Sequence, residues 1–151
     1  MIYFFRFFSV IIACFVTLLC NAQVQVSTKQ LIGTKWEATS RTVIGKTETP
    51  HDKTIIEFNK NIFSKSTYYK IEPTTSSFKY YISDTKPSDN IFNDNLVGTN
   101  NKGKYIVLYN DKLNKIFLYT IISFNDDEIV LHNKTVTTPA LDNYVTYKRV
   151  K

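Results

Sequence analysis

The sequence predicts an all-β fold: an antiparallel up-and-down β-barrel of about eight strands with at most one short helix. Three observations carry that expectation. After residue 22 only Ala38 and Ala140 remain of the alanines, while Thr, Ile, Val, Tyr and Phe dominate. Such side chains suit a pleated, half-buried surface and crowd one another on a helix. Short runs of them recur, punctuated by Asn, Asp, Gly and Pro, the spacing of a sandwich or barrel. Several separators are also tight turns, because Asn and Asp tolerate left-handed backbone and bond their own main chain. Asn59-Lys60-Asn61, Asn110-Asp111-Lys112 and Asn125-Asp126-Asp127 are of this kind, and consecutive hairpins imply a meander.

In chain order, residues 1–22 read as a secretory signal. Met1 to Arg6 is a short positive start, Phe7 to Leu19 an apolar run of thirteen, and Cys20-Asn21-Ala22 supplies small residues before Gln23. A run of that length is too short for a membrane span, which needs about 20 residues. No transmembrane segment follows in the mature chain. A second reading takes Ile11-Ile12-Ala13-Cys14 as a lipobox leading to a lipid-anchored lipoprotein. Cleavage there would leave Phe15 to Leu19 as a greasy start and cut the signal core short. Release after Ala22 into the periplasm or medium is therefore the expectation.

Residues 23–151 then form one domain. Strands are expected at Lys35–Val43, Lys53–Phe58, Ile62–Ile71, Ser77–Ser83, Lys104–Tyr109, Lys115–Phe124, Glu128–Val136 and Asn143–Val150. Ile44 to Asp52 reads as a polar loop. Ser88 to Gly98 reads equally well as a short helix, with Ile91, Phe92 and Leu96 on one face, or as a polar loop pinned by apolar side chains. In the sixth strand Ile116, Leu118, Ile122 and Phe124 point one way and Phe117, Tyr119 and Ile121 the other, so both faces need cover. Phe63, Thr67, Tyr69 and Ile71 oppose Ser64, Ser66, Tyr68 and Lys70, a cleaner inside/outside alternation.

The whole chain carries a formal charge of +6. Only Arg6 leaves with the signal, so 18 basic residues face 13 acidic ones over 23–151. The charges are scattered, as on a solvated surface. Both cysteines, Cys14 and Cys20, go with the signal, so neither disulfides nor cysteine-held zinc can stabilise the remainder.

The opening Leu31-Ile32-Gly33-Thr34-Lys35-Trp36-Glu37 resembles the start of lipocalin-like (calycin) barrels, whose first strand begins Gly-x-Trp. Here two residues, not one, separate Gly33 from Trp36. Tyr144 to Val150 resembles their closing strand. With Tyr80 to Asp84 and Gly103 to Tyr105, the two ends are similar to small exported lipocalin-like proteins of Bacteroidetes-type bacteria. The resemblance implies that Trp36 packs on Arg149 as a barrel-closing pair, a cation–π contact of about 0.5–2 kcal/mol. It also implies a hydrophobic or amphipathic small molecule, such as a lipid, in the lumen. Strand parity then nominates Trp36, Phe58, Tyr69, Tyr81, Tyr105, Phe117, Tyr119 and Tyr147 as lining, with Tyr147 or Arg149 as polar anchors.

No catalytic constellation or cofactor motif is read, so neither an enzyme nor a cofactor is expected. His51 sits beside Pro50, and His132 lies alone in a strand, without the paired spacing a metal needs. Asp126-Asp127-Glu128 belongs to a turn, and Asp89, Asn93, Asp94 and Asn95 lack the glycine and closing glutamate of a calcium loop. The aromatic and basic interleaving of Tyr68-Tyr69-Lys70 and Phe78-Lys79-Tyr80-Tyr81 suits stacking on bases. Export argues against nucleic acid. The alternative to a lumen binder is a side-chain-filled module that docks on another envelope protein as an accessory subunit or inhibitor.

Overall fold

The computed structural model describes residues 24–69, 72–88, 91–134 and 141–151. The chain opens with β1 (Val26–Ser27) and a one-turn helix α1 (Thr28–Leu31). Then follow β2 (Thr34–Val43), β3 (Lys46–Glu48), β4 (Lys53–Phe58), β5 (Ile62–Tyr68) and β6 (Pro73–Ser83). After a connecting segment come β7 (Lys102–Gly103), β8 (Tyr105–Asn110), β9 (Lys115–Phe124), β10 (Glu128–Lys134) and β11 (Asp142–Arg149). All pairings are antiparallel. β4, β5, β6, β8, β9 and β10 run as consecutive neighbours between β2 and β11. The two end strands then pair with each other from Arg149 opposite Trp36 to Asn143 opposite Val43. Eight strands thus close a barrel, and closure removes the free edges that an open sheet would present.

Two short pairings lie outside the ring. β3 folds back on the far half of β2, so the segment expected as a polar loop contains a hairpin. Its turn carries Ile44 and Gly45 at φ of 51° and 72°, both in the left-handed region that a two-residue hairpin turn demands. β7 pairs with β1 and passes hard against the end of β6. A Cβ on Gly103 would stand 2.1 Å from the Ser83 carbonyl carbon, so only glycine fits that crossing.

The end of the barrel where β2 begins and β11 finishes is its floor, and it is filled. Trp36, Phe58, Phe63 and Tyr80 are at most 1% exposed. Their rings meet edge-on or tilted, with centroids 5.2 Å apart for Phe58–Phe63 and 5.6 Å for Phe58–Tyr80. An eight-stranded barrel is just wide enough for side chains to fill. α1 adds Leu31 to this cluster and β1 adds Val26. The buried indole N–H donates to Thr34 Oγ1 at 2.7 Å, and that hydroxyl donates to the Leu31 carbonyl at 2.5 Å. Every polar atom in this stack therefore has a partner.

Expected and observed strands agree closely, and the differences have causes. β6 starts at Pro73 because hairpin pairing with β5 runs to Tyr68 opposite Pro73. Over 91–98 the chain is a connecting loop with a 3-10 turn at Asp94–Leu96, and residues 89–90 lie outside the described residues. The loop wraps the outside of β6 and β8, where Phe92 stacks on Tyr109 (5.0 Å, 23°) and lies 5.1 Å from Tyr81. A small outer core results, which buries Tyr81 and Val107 on the face away from the lumen. The expected signal over 1–22 and the ends of two expected strands, 70–71 and 135–136, lie outside the described residues.

Candidate functional site

At the opposite end, the mouth, the barrel interior changes character, and a bulge in β2 decides what faces in. Ala38 opposes Tyr147, but Ser40 opposes Thr146, so one extra residue is inserted around Thr39. The inserted residue shifts the period-2 alternation by one. Arg41, not Ser40, then turns inward beside Asn143 and Val145. β5 contributes Lys65 and Thr67, which follow Phe63 on its inner face. β6 adds Thr74, Ser76 and Phe78, and β9 adds Phe117 and Tyr119.

These side chains enclose two connected lobes that open at the rim. The first, about 310 Å³, is polar and is lined chiefly by Ala38, Arg41, Lys65, Asn143, Val145 and Tyr147. The second, about 410 Å³, has apolar walls from Phe78, Leu108, Phe117 and Tyr119. Lys65, Thr67 and Tyr69 belong to both lobes. Glu48, His51 and Asp52 sit on the rim of the first lobe.

The polar groups of the mouth are only partly paired. Arg41 Nε donates to Asn143 Oδ1 at 2.9 Å, and Asn143 Nδ2 donates to Asn133 Oδ1 at 2.9 Å. This side-chain chain crosses β2, β11 and β10 and fixes the guanidinium. Lys65 has neither hydrogen bond nor ion pair among the described residues. Burial, with the Arg41 charge adding less, pushes its ammonium below the ordinary value of 10.5. The hydroxyls of Tyr119 and Tyr147 also lack partners among the described residues, although Tyr147 is only 3% exposed. Burial pushes both phenols upward; for Tyr147 the neighbouring Tyr119 adds to the rise and Arg41 opposes it. Among the described residues no fully enclosed side-chain polar atom is left unpaired. The unpaired phenol oxygens therefore keep access to the cavity.

The residues nominated from sequence fall into four places. Trp36 and Phe58 lie in the floor, enclosed by other side chains. Phe117, Tyr119 and Tyr147 line the lobes, and Tyr69 stands on the rim, 65% exposed. Tyr81 and Tyr105 are on the outer face, Tyr81 under Phe92 and Tyr105 beside the ammonium groups of Lys86 and Lys104. Parity within β6 and β8 explains this: Tyr80 and Ile106 face the core, so their neighbours face away. Arg149 does not reach the cavity. Its guanidinium carbon lies 5.6 Å from the Trp36 ring centroid at the floor, and its Nη1 donates to the Asp126 carbonyl at 3.4 Å.

Phe124 likewise corrects the expected alternation. A bulge at Ile122, between Ser123 opposite Val130 and Ile121 opposite Leu131, returns Phe124 to the interior, 5.9 Å from Trp36. Ile122 itself is 44% exposed.

The remaining candidates have local roles. His132 Nε2–H donates to Asp142 Oδ1 at 2.8 Å, and the ring stacks 4.5 Å from Tyr144. Asn125 Oδ1 accepts from the amides of Asp127 and Glu128, which makes that acidic run an ordinary turn. Asp94 pairs with Lys79 at 3.3 Å, while Asp89 lies outside the described residues. Among the described residues no group of three His, Cys, Asp or Glu side chains is placed to hold a metal, and no helix is long and apolar enough to cross a membrane.

No protein-family model, curated protein or solved structure matches this chain.

Proposed function

We propose that this chain is an exported binding protein that takes an amphipathic small molecule into the upper half of its barrel. The observation that carries the reading is two phenol hydroxyls without partners among the described residues, Tyr147 on the polar lobe and Tyr119 on the lobe with Phe78 and Phe117. A phenol oxygen that reaches only the cavity is incompletely solvated, at a cost below the roughly 1–3 kcal/mol of a fully enclosed unpaired group. A ligand that supplies their hydrogen bonds while covering Phe78 and Phe117 would recover that cost. Ligand sites of this type are apolar with a few polar anchors. The filled floor limits the occupant to the mouth half, so a compact or short-chain molecule suits it better than a long acyl chain. The lipocalin-like resemblance of the two chain ends points to the same use of the fold.

The test is thermal unfolding of the purified exported protein against a panel of alkanoates, alkanols, monoacyl lipids and aromatic amphiphiles. A ligand present at 100 times its Kd stabilises by about 2.7 kcal/mol, which raises Tm by several degrees. No shift across the panel, with Ala38→Phe also leaving the melting curve unchanged in its presence, would remove this reading.

A further inference from the structure

On the exterior several cations are paired with acids and the rest stand in water. Lys35 meets Glu57 at 3.1 Å, Lys53 meets Glu37 at 3.3 Å, and Lys79 bridges Asp94 and Asp111 at 3.3 and 3.2 Å. Inside the mouth a half-buried cation, Lys65, has neither recourse in full. Lys65 and Arg41 share the first lobe with Tyr147, and neither forms an ion pair among the described residues. The half-buried Lys65 charge is only partly hydrated, and the like charge of the exposed Arg41 beside it adds a smaller repulsion.

From this we infer that the occupant carries one acidic group, a carboxylate or sulfonate, seated between Lys65 and Arg41. The inference rests on the lumen-binding reading above and names the charge and orientation of its ligand. The acidic group spans the wall of the first lobe: Lys65 stands one inward position above Phe63, while Arg41 is exposed and lies opposite Glu48 toward the rim. The apolar part turns into the second lobe against Phe78, Leu108 and Phe117, which adjoins the first at Lys65. Arg41 is already held by Asn143, so little side-chain freedom is lost when it receives an oxygen. Tyr147 lines the same lobe and has a hydroxyl proton to donate to the acidic group.

Groups facing Lys65 come from several elements. Arg41 lies on β2, Thr54 on β4, Ser76 on β6 and Lys134 on β10, with Glu48 and Asp52 on the rim. Anion binding favours the charged amine. Affinity for an anion therefore falls as pH rises through the lowered Lys65 titration, and binding in that range takes up a proton.

Two fluorescent probes of one skeleton test the charge directly: 1-anilinonaphthalene-8-sulfonate and its uncharged counterpart N-phenyl-1-naphthylamine. The full exported protein is expected to bind the sulfonate at least about tenfold tighter, the scale of a charge-assisted contact. Lys65→Gln and Arg41→Gln each remove that preference and leave the neutral probe within about twofold. Each variant's melting curve is recorded beside its binding curve, so that loss of the site is separated from loss of the fold. Equal binding of both probes, unchanged by Lys65→Gln, overturns the anion inference and leaves the lumen reading standing. Binding of neither probe, with no stabilisation by the amphiphile panel, overturns both.

Discussion

The two halves of this barrel are built from the same strands by opposite rules. At the floor every inward side chain answers another. Trp36 rests under Phe124 and beside Arg149, its N–H is taken by Thr34, and Thr34 in turn is taken by Leu31. At the mouth, a few residues further along those strands, Lys65, Tyr119 and Tyr147 face the cavity without a hydrogen-bond partner among the described residues. The difference teaches how the chain divides its work. The half that side chains can fill is packed and hydrogen-bonded throughout, and the half that stays open carries polar groups that, on the proposed function, a ligand satisfies. Strained or unsatisfied groups tolerated beside a well-determined scaffold are a usual mark of function.

The contrast can be broken at its strongest point first. Trp36→Ala is expected to cost about 3–5 kcal/mol in urea unfolding, as for large aromatic truncations in packed interiors. A loss below about 1 kcal/mol would mean the floor is loosely packed. Arg149→Ala removes the cation–π contact and one carbonyl hydrogen bond, an expected loss of about 1–2 kcal/mol. The same substitution leaves ligand affinity unchanged, because Arg149 is at the floor and not in the cavity.

Lys65→Met is expected to act in the other direction. It removes a desolvated cation and raises the stability of the empty protein by up to about 1 kcal/mol, while abolishing preference for an anion. The sign also follows from titration. In the folded state Lys65 holds its proton less tightly than the ordinary value of 10.5. The unfolded chain therefore binds more protons, and stability rises with pH between the lowered value and about 10.5. Tyr119 and Tyr147 act oppositely: their raised values favour the folded state at lower pH and withdraw that support once pH passes about 10. Lys65→Met flattens the rising limb alone, and an unchanged pH profile would count against a desolvated Lys65.

The smallest effect concerns the rim. Ile44 adopts φ of 51° while 74% exposed, a left-handed conformation that a β-branched residue resists. Ile44→Asn is expected to gain about 0.5–1 kcal/mol, read as a rise of a few degrees in Tm, with no change at the floor.

Much of the architecture was legible because its causes are local. β4 and β9 were expected with the bounds they have, Lys53–Phe58 and Lys115–Phe124, since β-branched and aromatic runs between Asn-rich turns leave little choice. Asn125 illustrates the turn chemistry, accepting from the two amides that follow it. In the cavity, parity accounts for Phe117, Tyr119 and Tyr147, and the alternation that turns Phe63 and Thr67 inward places Lys65 between them. Tyr81 and Tyr105 face outward, because Tyr80 and Ile106 take the inward positions. Arg41 had no such signal, because counting by twos from Trp36 leads to Ser40.

The sequence by itself determined the strands, their hairpin order and the sites of the turns, because side-chain shape and turn propensity act over a few residues. Only the tertiary structure decided which residues meet inside. The bulges at Thr39 and Ile122 arise where a strand must match the register of a neighbour distant in sequence or adjacent across a twist, and each reverses the facing of everything beyond it. That non-local match is what turns Arg41 toward Lys65, and the contents of the mouth follow from it.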